Sequence, residues 1–372
     1  MTGACSHGSP VPATGLDRTR NPSEVSAVSE DSPDFDRPLQ GPLLAAVSRS
    51  FYLSLRFLPP PVRGPLSVSY LLARAADTVA DVTASPAPER LELLERFRSA
   101  LTDGPPPDFL LKVSAFAAGV DHSGERELLH RLAECFDQLK KLSPATRDCA
   151  RRVMGHILDG MTLDLRRFPT SQPLRSLATD AELDEYTWLV AGCVGEFWTD
   201  ICALELPGVF RESPDTMKTL GGRYGKGLQL INILRDQPGD AAIGRCYLPE
   251  ESLRQAGLEG PVLWPAADWS SWHAVRRDLI ARTRLFLADG WKYAASLRSI
   301  RLRFATLMPL LIGEGTLARL ESLPSGGPPE AAKITRREVK RLARKALWMA
   351  LTNRITPPAA AGSASTATIT TP

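Results

Sequence analysis

Twice in this chain, hydrogen-bonding and acidic side chains recur at helical spacing inside stretches that are otherwise apolar, and this restricts the available folds more than any bulk property. In SVSYLLARAADTVADV, Tyr70, Arg74, Asp77 and Asp81 follow one another at spacings of four, three and four residues. That spacing puts all four on one helical stripe, with Leu71, Leu72, Ala75, Ala76, Val79 and Ala80 around them. In GKGLQLINILRDQPGD, Gln229, Asn232 and Asp236 share one face, Asp240 follows a turn later, and Leu228, Leu230, Ile231, Ile233 and Leu234 supply the packing surface. Amide and carboxylate oxygens in an apolar helix are costly unless paired or bound to a cation, so Mg²⁺ is the natural ligand for Asp77, Asp81, Asn232, Asp236 and Asp240. Two such helices opposed across a cleft can hold several ions and, through them, a diphosphate. One stripe alone would read as a solvated face; two with apolar flanks do not.

The rest of the chain narrows the class. With 372 residues and 43% apolar composition it can bury one large core or two modest ones. Helical periodicity runs throughout, with no alternating strand pattern, no GxGxxG and no internal repeat, which predicts an all-α, single-domain helical bundle around a polar cleft. A net charge of +3 singles out no polyanionic partner, and no nucleic acid is expected. The six cysteines lack CxxC spacing and the five histidines form no HxxxH pair, so reduced core thiols are expected and a zinc site is not. Residues 1–40 and 356–372 have the composition of disordered tails around a domain over 41–355. Without a signal peptide or a long uncharged apolar run, the chain is expected to be soluble and cytoplasmic, at most peripheral to a membrane; a monomer is expected.

Helices are predicted from Pro42 to the break at Pro59, over the Asp77 stripe to near Ser85, and over Pro88–Leu101, Phe109–Ala118, Glu125–Lys141, Pro144–Phe168 and Glu182–Leu206. Others cover the Gln229 stripe, Trp272–Leu297, Ile300–Leu320, and a segment after Lys333 reaching about Asn353. Pro238 is expected to kink or end its helix just beyond Asp236, leaving Asp240 the least secure ligand, and Pro309 to kink another. Asp164 is expected to be a structural partner of Arg166 or Arg167.

Several motifs in register resemble the squalene and phytoene synthases, enzymes that join two prenyl diphosphates head to head. They are Ser48-Arg49-Ser50-Phe51-Tyr52, Arg74-x-x-Asp77-Thr78-x-x-Asp81, Tyr186 with Val190-Ala191-Gly192-x-x-Gly195, and Asn232-Ile233-Leu234-Arg235-Asp236 followed by Gly244-Arg245-x-Tyr247-Leu248-Pro249. The resemblance runs from about Pro42 to Leu351 and implies the isoprenoid synthase fold with a central Mg²⁺-diphosphate cleft. It implies substrate contacts from Ser48, Ser50, Arg74, Gln229, Arg235, Arg245 and Tyr247, and an apolar wall of Phe51, Val190, Ala191 and Cys193. It also implies catalytic roles for Tyr186, Tyr70 and Phe51, and NADPH contacts from Arg49, Arg74, Arg235 and Lys333.

The reaction so implied joins two farnesyl diphosphates through a cyclopropyl diphosphate, which NADPH reduces to squalene; phytoene or dehydrosqualene formation, without reduction, is the alternative. A reading from another class, a catalytically weak relative serving as a lipid-binding or assembly partner, is motivated by Ala80, Pro238-Gly239 and Thr335, which depart from the family's pattern. Mg²⁺-dependent diphosphate release separates the two. The basic helix after Lys333 is open to three readings: an NADPH-holding segment, a peripheral membrane contact, or a solvated face.

Overall fold

The computed structural model describes residues 39–48, 51–82, 85–169, 173–261, 269–323 and 332–357. The expected tails, together with Arg49 and Ser50, lie outside them, apart from a few terminal residues. Prolines set several of the helix starts: Pro60, Pro107, Pro144 and Pro214 each occupy the first helical position, where a missing N–H costs nothing.

A π-helical turn (Leu39–Leu43), α1 (Leu44–Ser48) and α2 (Phe51–Phe57) lead into α3 (Pro60–Asp81), the first acidic helix. It is followed by α4 (Ala87–Asp103), α5 (Pro107–Phe116), α6 (Ser123–His130), α7 (Leu132–Lys141) and α8 (Pro144–Arg167), and α4, α6, α7 and α8 all pack on α3. Next, α9 (Asp180–Thr187) passes through a π-helical turn (Trp188–Gly192) into α10 (Cys193–Glu205). The second acidic helix, α11 (Pro214–Ala242), is followed by α12 (Glu250–Gln255), α13 (Trp269–Ser296), α14 (Ile300–Ser322) and α15 (Arg336–Thr352). It packs against α10, the π-turn, α13 and α14, and α15 packs on α14.

Buried side chains form two clusters. One gathers Leu72, Phe97, Phe136 and Met154 around α3, α4, α7 and α8. The other gathers Ile231, Leu287, Met308 and Met349 from α11, α13, α14 and α15. The cleft described below is lined from both sides of this division. The five cysteines among the described residues are free and buried, as expected of core thiols.

The all-α expectation holds, with four local corrections. The predicted Glu125–Lys141 helix is broken at Arg131 into α6 and α7. The Glu182–Leu206 helix carries the π-turn at its small residues. α11 does not stop at Pro238 but continues through it to Ala242, since the ring removes one donor without ending the helix and Asp240 keeps its helical position. Two-residue strands, β1 (Arg175–Ser176) and β2 (Arg245–Cys246), pair in parallel where the sequence has no strand pattern. Such a short pair lacks the length over which alternation is visible.

Candidate active site

The acidic faces of α3 and α11 meet across a cavity of about 560 Å³. Tyr70, Arg74, Asp77 and Asp81 reach it from α3, and Gln229, Asn232, Asp236 and Asp240 from α11, so both predicted stripes face one space. Phe51, Tyr186, Val190, Arg245 and Tyr247 also line it. An apolar arm of about 220 Å³ continues past Phe51, Val190 and Ala191 toward Tyr224, Tyr293 and Pro309. Its inner end is fixed by two buried hydroxyls: Tyr224 donates to the Thr306 carbonyl at 3.0 Å, and Tyr293 shares a 2.9 Å hydrogen bond with Thr199.

On the α3 wall, Arg74 bonds Asp77 at 2.5 Å and also pairs with Glu125 of α6. Recession into the cleft, reinforced by the nearby Asp81 charge, pushes the Asp77 carboxyl up to about 7. On the opposite wall, Arg235 holds its neighbour Asp236 through two bonds, one of them 2.8 Å from Nε. Burial, then the Asp236 charge, likewise pushes Asp240 up to about 7. Asn232 donates to the Gln229 side-chain oxygen at 3.2 Å.

Between the walls stands a buried polar chain. Arg245, brought in by β2, lies 3.4 Å from Asp81 and 3.3 Å from Asp164 of α8. Tyr247 donates to Asp164 at 2.5 Å and stacks on Tyr186, with ring centroids 4.6 Å apart. Burial holds both phenols well above their ordinary range, so they remain protonated. Burial also pushes Asp164 up to about 6, against the pull of Arg245 and the Tyr247 hydroxyl.

Other expected site residues stand apart. Ser48 is buried and its hydroxyl is turned back to the Leu44 carbonyl, as helical serines readily do. Arg235 serves Asp236 and is not on the cavity wall. Cys193 is buried with its thiol 3.0 Å from the Leu189 carbonyl, behind the wall it was expected to form. Lys333 is exposed and reaches neither the cavity nor its apolar arm. Thr335, where a basic residue was expected, caps α15 in a reciprocal box with Glu338.

Asp164 is a structural partner as foreseen, but of Arg245 and Tyr247; Arg166 is exposed, and Arg167 pairs with Glu185 at 3.0 Å. Three positions escaped sequence reading as parts of the site: Asp164, Glu125, and Arg90, which donates to the Ala80 carbonyl at 2.6 Å beside Asp81. Asp164 carried a signal, since Leu163 and Leu165 flank it. The other two sit in ordinary amphipathic surface patterns.

The donor set suits a divalent cation of a particular kind. Among the described residues no three carboxylates converge tightly enough to cage one ion. Carboxylate pairs on opposite walls fit Mg²⁺, which binds through one or two protein carboxylates and completes its shell with water and substrate phosphate. Asp77 and Asp240, held near 7 by burial and by the neighbouring charges of Asp81 and Asp236, would be stabilised as anions by such a cation.

The family model described as "Squalene/phytoene synthase" matches residues 44–338. Presqualene diphosphate synthase of Zymomonas mobilis subsp. mobilis is 30% identical over 335 residues, 90% of this chain and 97% of that one. The chloroplastic phytoene synthase of Daucus carota is 25% identical over 76% of this chain and 62% of its own length. Among solved structures, TcSQS in complex with the ligand BPH1237 superposes with a TM-score of 0.65 at 23% identity, covering 85% of this chain and 89% of that one. Squalene synthase HpnC from Alicyclobacillus acidocaldarius gives 0.53 at 18% identity, covering 76% and 92%. Two acidic helices facing one cavity, and a match that spans most of the described chain, lead to one assignment: this enzyme belongs to the squalene/phytoene synthase family of head-to-head prenyl synthases.

Proposed function

We propose that the enzyme condenses two farnesyl diphosphates head to head to presqualene diphosphate, a cyclopropylcarbinyl ester. The observation that carries this reading is a single cavity joining two acidic walls to an apolar arm. A diphosphate needs the first and a prenyl tail the second. The relative that aligns over nearly the whole of both chains is named for this product, which supports the choice of a C15 substrate.

Asp77 and Asp81 on one wall, and Asn232, Asp236 and Asp240 on the other, would hold Mg²⁺, which would supply the positive charge that neutralises a leaving diphosphate. The chain's own residues prepare the remainder. Arg245 offers a guanidinium to the leaving group, and Asp164 and Tyr247 fix its position. Phe51, Tyr186 and Trp198 line the cavity, so an allylic cation formed there meets aromatic surface in place of water. Gln229 and Tyr70 complete the polar wall on either side.

The reductive step to squalene finds less support. Lys333 lines neither the cavity nor its apolar arm, and Arg74 and Arg235 are already engaged by carboxylates. Incubation with Mg²⁺ and farnesyl diphosphate, with and without NADPH, decides between the readings. Presqualene diphosphate formed in equal amounts either way is the expected result, and Asp77→Ala should lower its formation by a factor of about 10² or more. Squalene appearing only with NADPH would restore the reductive reading. A C40 product from geranylgeranyl diphosphate would move the enzyme to the phytoene series, and no diphosphate release from either substrate would favour a lipid-binding or assembly role.

A further inference from the structure

We propose that the outward face of α15 docks on an anionic phospholipid bilayer. The helix carries six cations, Arg336, Arg337, Lys340, Arg341, Arg344 and Lys345, against one acid, Glu338. The whole chain has a net charge of only +3, so the remainder is slightly acidic and the positive charge is concentrated here. Glu338 is turned away from that face into its capping box and a pair with Arg319. All six cations are exposed, and none of them forms an ion pair among the described residues.

Further along the same face the character changes. Leu347, Trp348 and Leu351 are 40%, 53% and 59% exposed, which a merely solvated helix has no reason to maintain. Helical geometry sets these three residues within the arc spanned by the six cations, opposite buried Ala346, Met349 and Ala350. The apolar end is widened by α14. Arg303 donates to the Ala350 carbonyl at 3.1 Å, which brings the start of α14 and its 44%-exposed Ile300 to this end of α15.

A helix with clustered cations on its polar part and Trp and Leu beside them inserts its apolar side chains at the headgroup boundary while the cations meet lipid phosphates. Six unpaired, long-stemmed cations with no acidic counterpart on their face suit a fluid anionic surface, whose phosphates can rearrange to meet them while the apolar stems and the Trp and Leu side chains enter the headgroup layer. No described helix is long and apolar enough to cross a membrane, so the contact would be peripheral.

The test uses the purified full chain and two sets of vesicles, phosphatidylcholine alone and phosphatidylcholine mixed with phosphatidylglycerol, read by cosedimentation. Partition onto the anionic vesicles should be about tenfold or more higher, and should fall as salt is raised. Arg337→Glu/Arg341→Glu/Arg344→Glu should remove the preference, and Trp348→Ser/Leu351→Ser should weaken binding several-fold, both with unchanged far-UV circular dichroism. Equal partition onto both vesicle types, no binding to either, or charge reversal without effect would overturn the proposal. So would a dimer in solution that the serine variant dissolves, since that assigns the face to a second copy of this chain.

Discussion

At the scale of single residues, Asp164 lines the cavity without being one of the carboxylates expected there. It is almost fully buried, yet it joins Arg245 to Tyr247 at the centre of the cavity wall. A carboxyl held near 6, above its ordinary range, binds its proton more tightly in the folded chain than in the unfolded one. It therefore favours the fold while protonated, and that contribution is lost as pH rises from about 4 through about 6. Asparagine keeps an acceptor for Tyr247 and cannot titrate. The stability of the natural protein relative to Asp164→Asn should thus fall by up to roughly 3 kcal/mol between pH 4 and pH 7, measured by urea denaturation at each pH. A gap that stays constant would show that Asp164 is not held in its protonated form. The two acidic stripes that line the cavity were legible because acidic groups at helical spacing among apolar neighbours have few uses. Glu125 was not, because its significance comes from Arg74, 51 positions earlier, and Arg90 was not, because it meets the end of α3 only once α4 has packed back on that helix.

Among elements, the contact between α10 and α11 decides how close the two halves of the cavity wall can come. A Cβ at Gly195 would collide with the Gly221 backbone, and one at Gly225 with the Ala191 carbonyl. The cost of interior glycine in a helix is offset here by backbone approach that no other residue permits. Gly195→Ala should destabilise the protein by about 1–3 kcal/mol, read as a lower urea midpoint with little change in slope. In the stretch from Val190 to Gly195, Val190 lines the cavity and its arm, Gly192 meets α11, and Ala191 and Gly195 do both, lining the arm while their backbones touch α11. Helix positions were largely readable from period and proline placement. The π-turn and the passage of α11 through Pro238 were not, because both are settled by neighbouring helices against the local preference.

For the whole molecule, the cavity lies between two clusters of buried side chains, and a ligand spanning it adds a further tie between walls that Arg245 already links. Mg²⁺ with inorganic diphosphate should raise the thermal midpoint more than either alone. At a hundredfold excess over its dissociation constant the pair adds about 2.7 kcal/mol, and Asp77→Ala should erase most of it. Equal shifts from Mg²⁺ alone would mean that the protein cages its ion without phosphate. The two-residue strand that delivers Arg245 and Tyr247 has a temporal side as well. It bonds partners 164 and 83 positions earlier in the chain, whereas α3, α8 and α11 need only local contacts to form. Closing such distant loops is slow beside helix formation, so in refolding from denaturant, helicity should return before the capacity to release diphosphate. Activity would then time the last event of folding, the arrival of the arginine that closes the cleft.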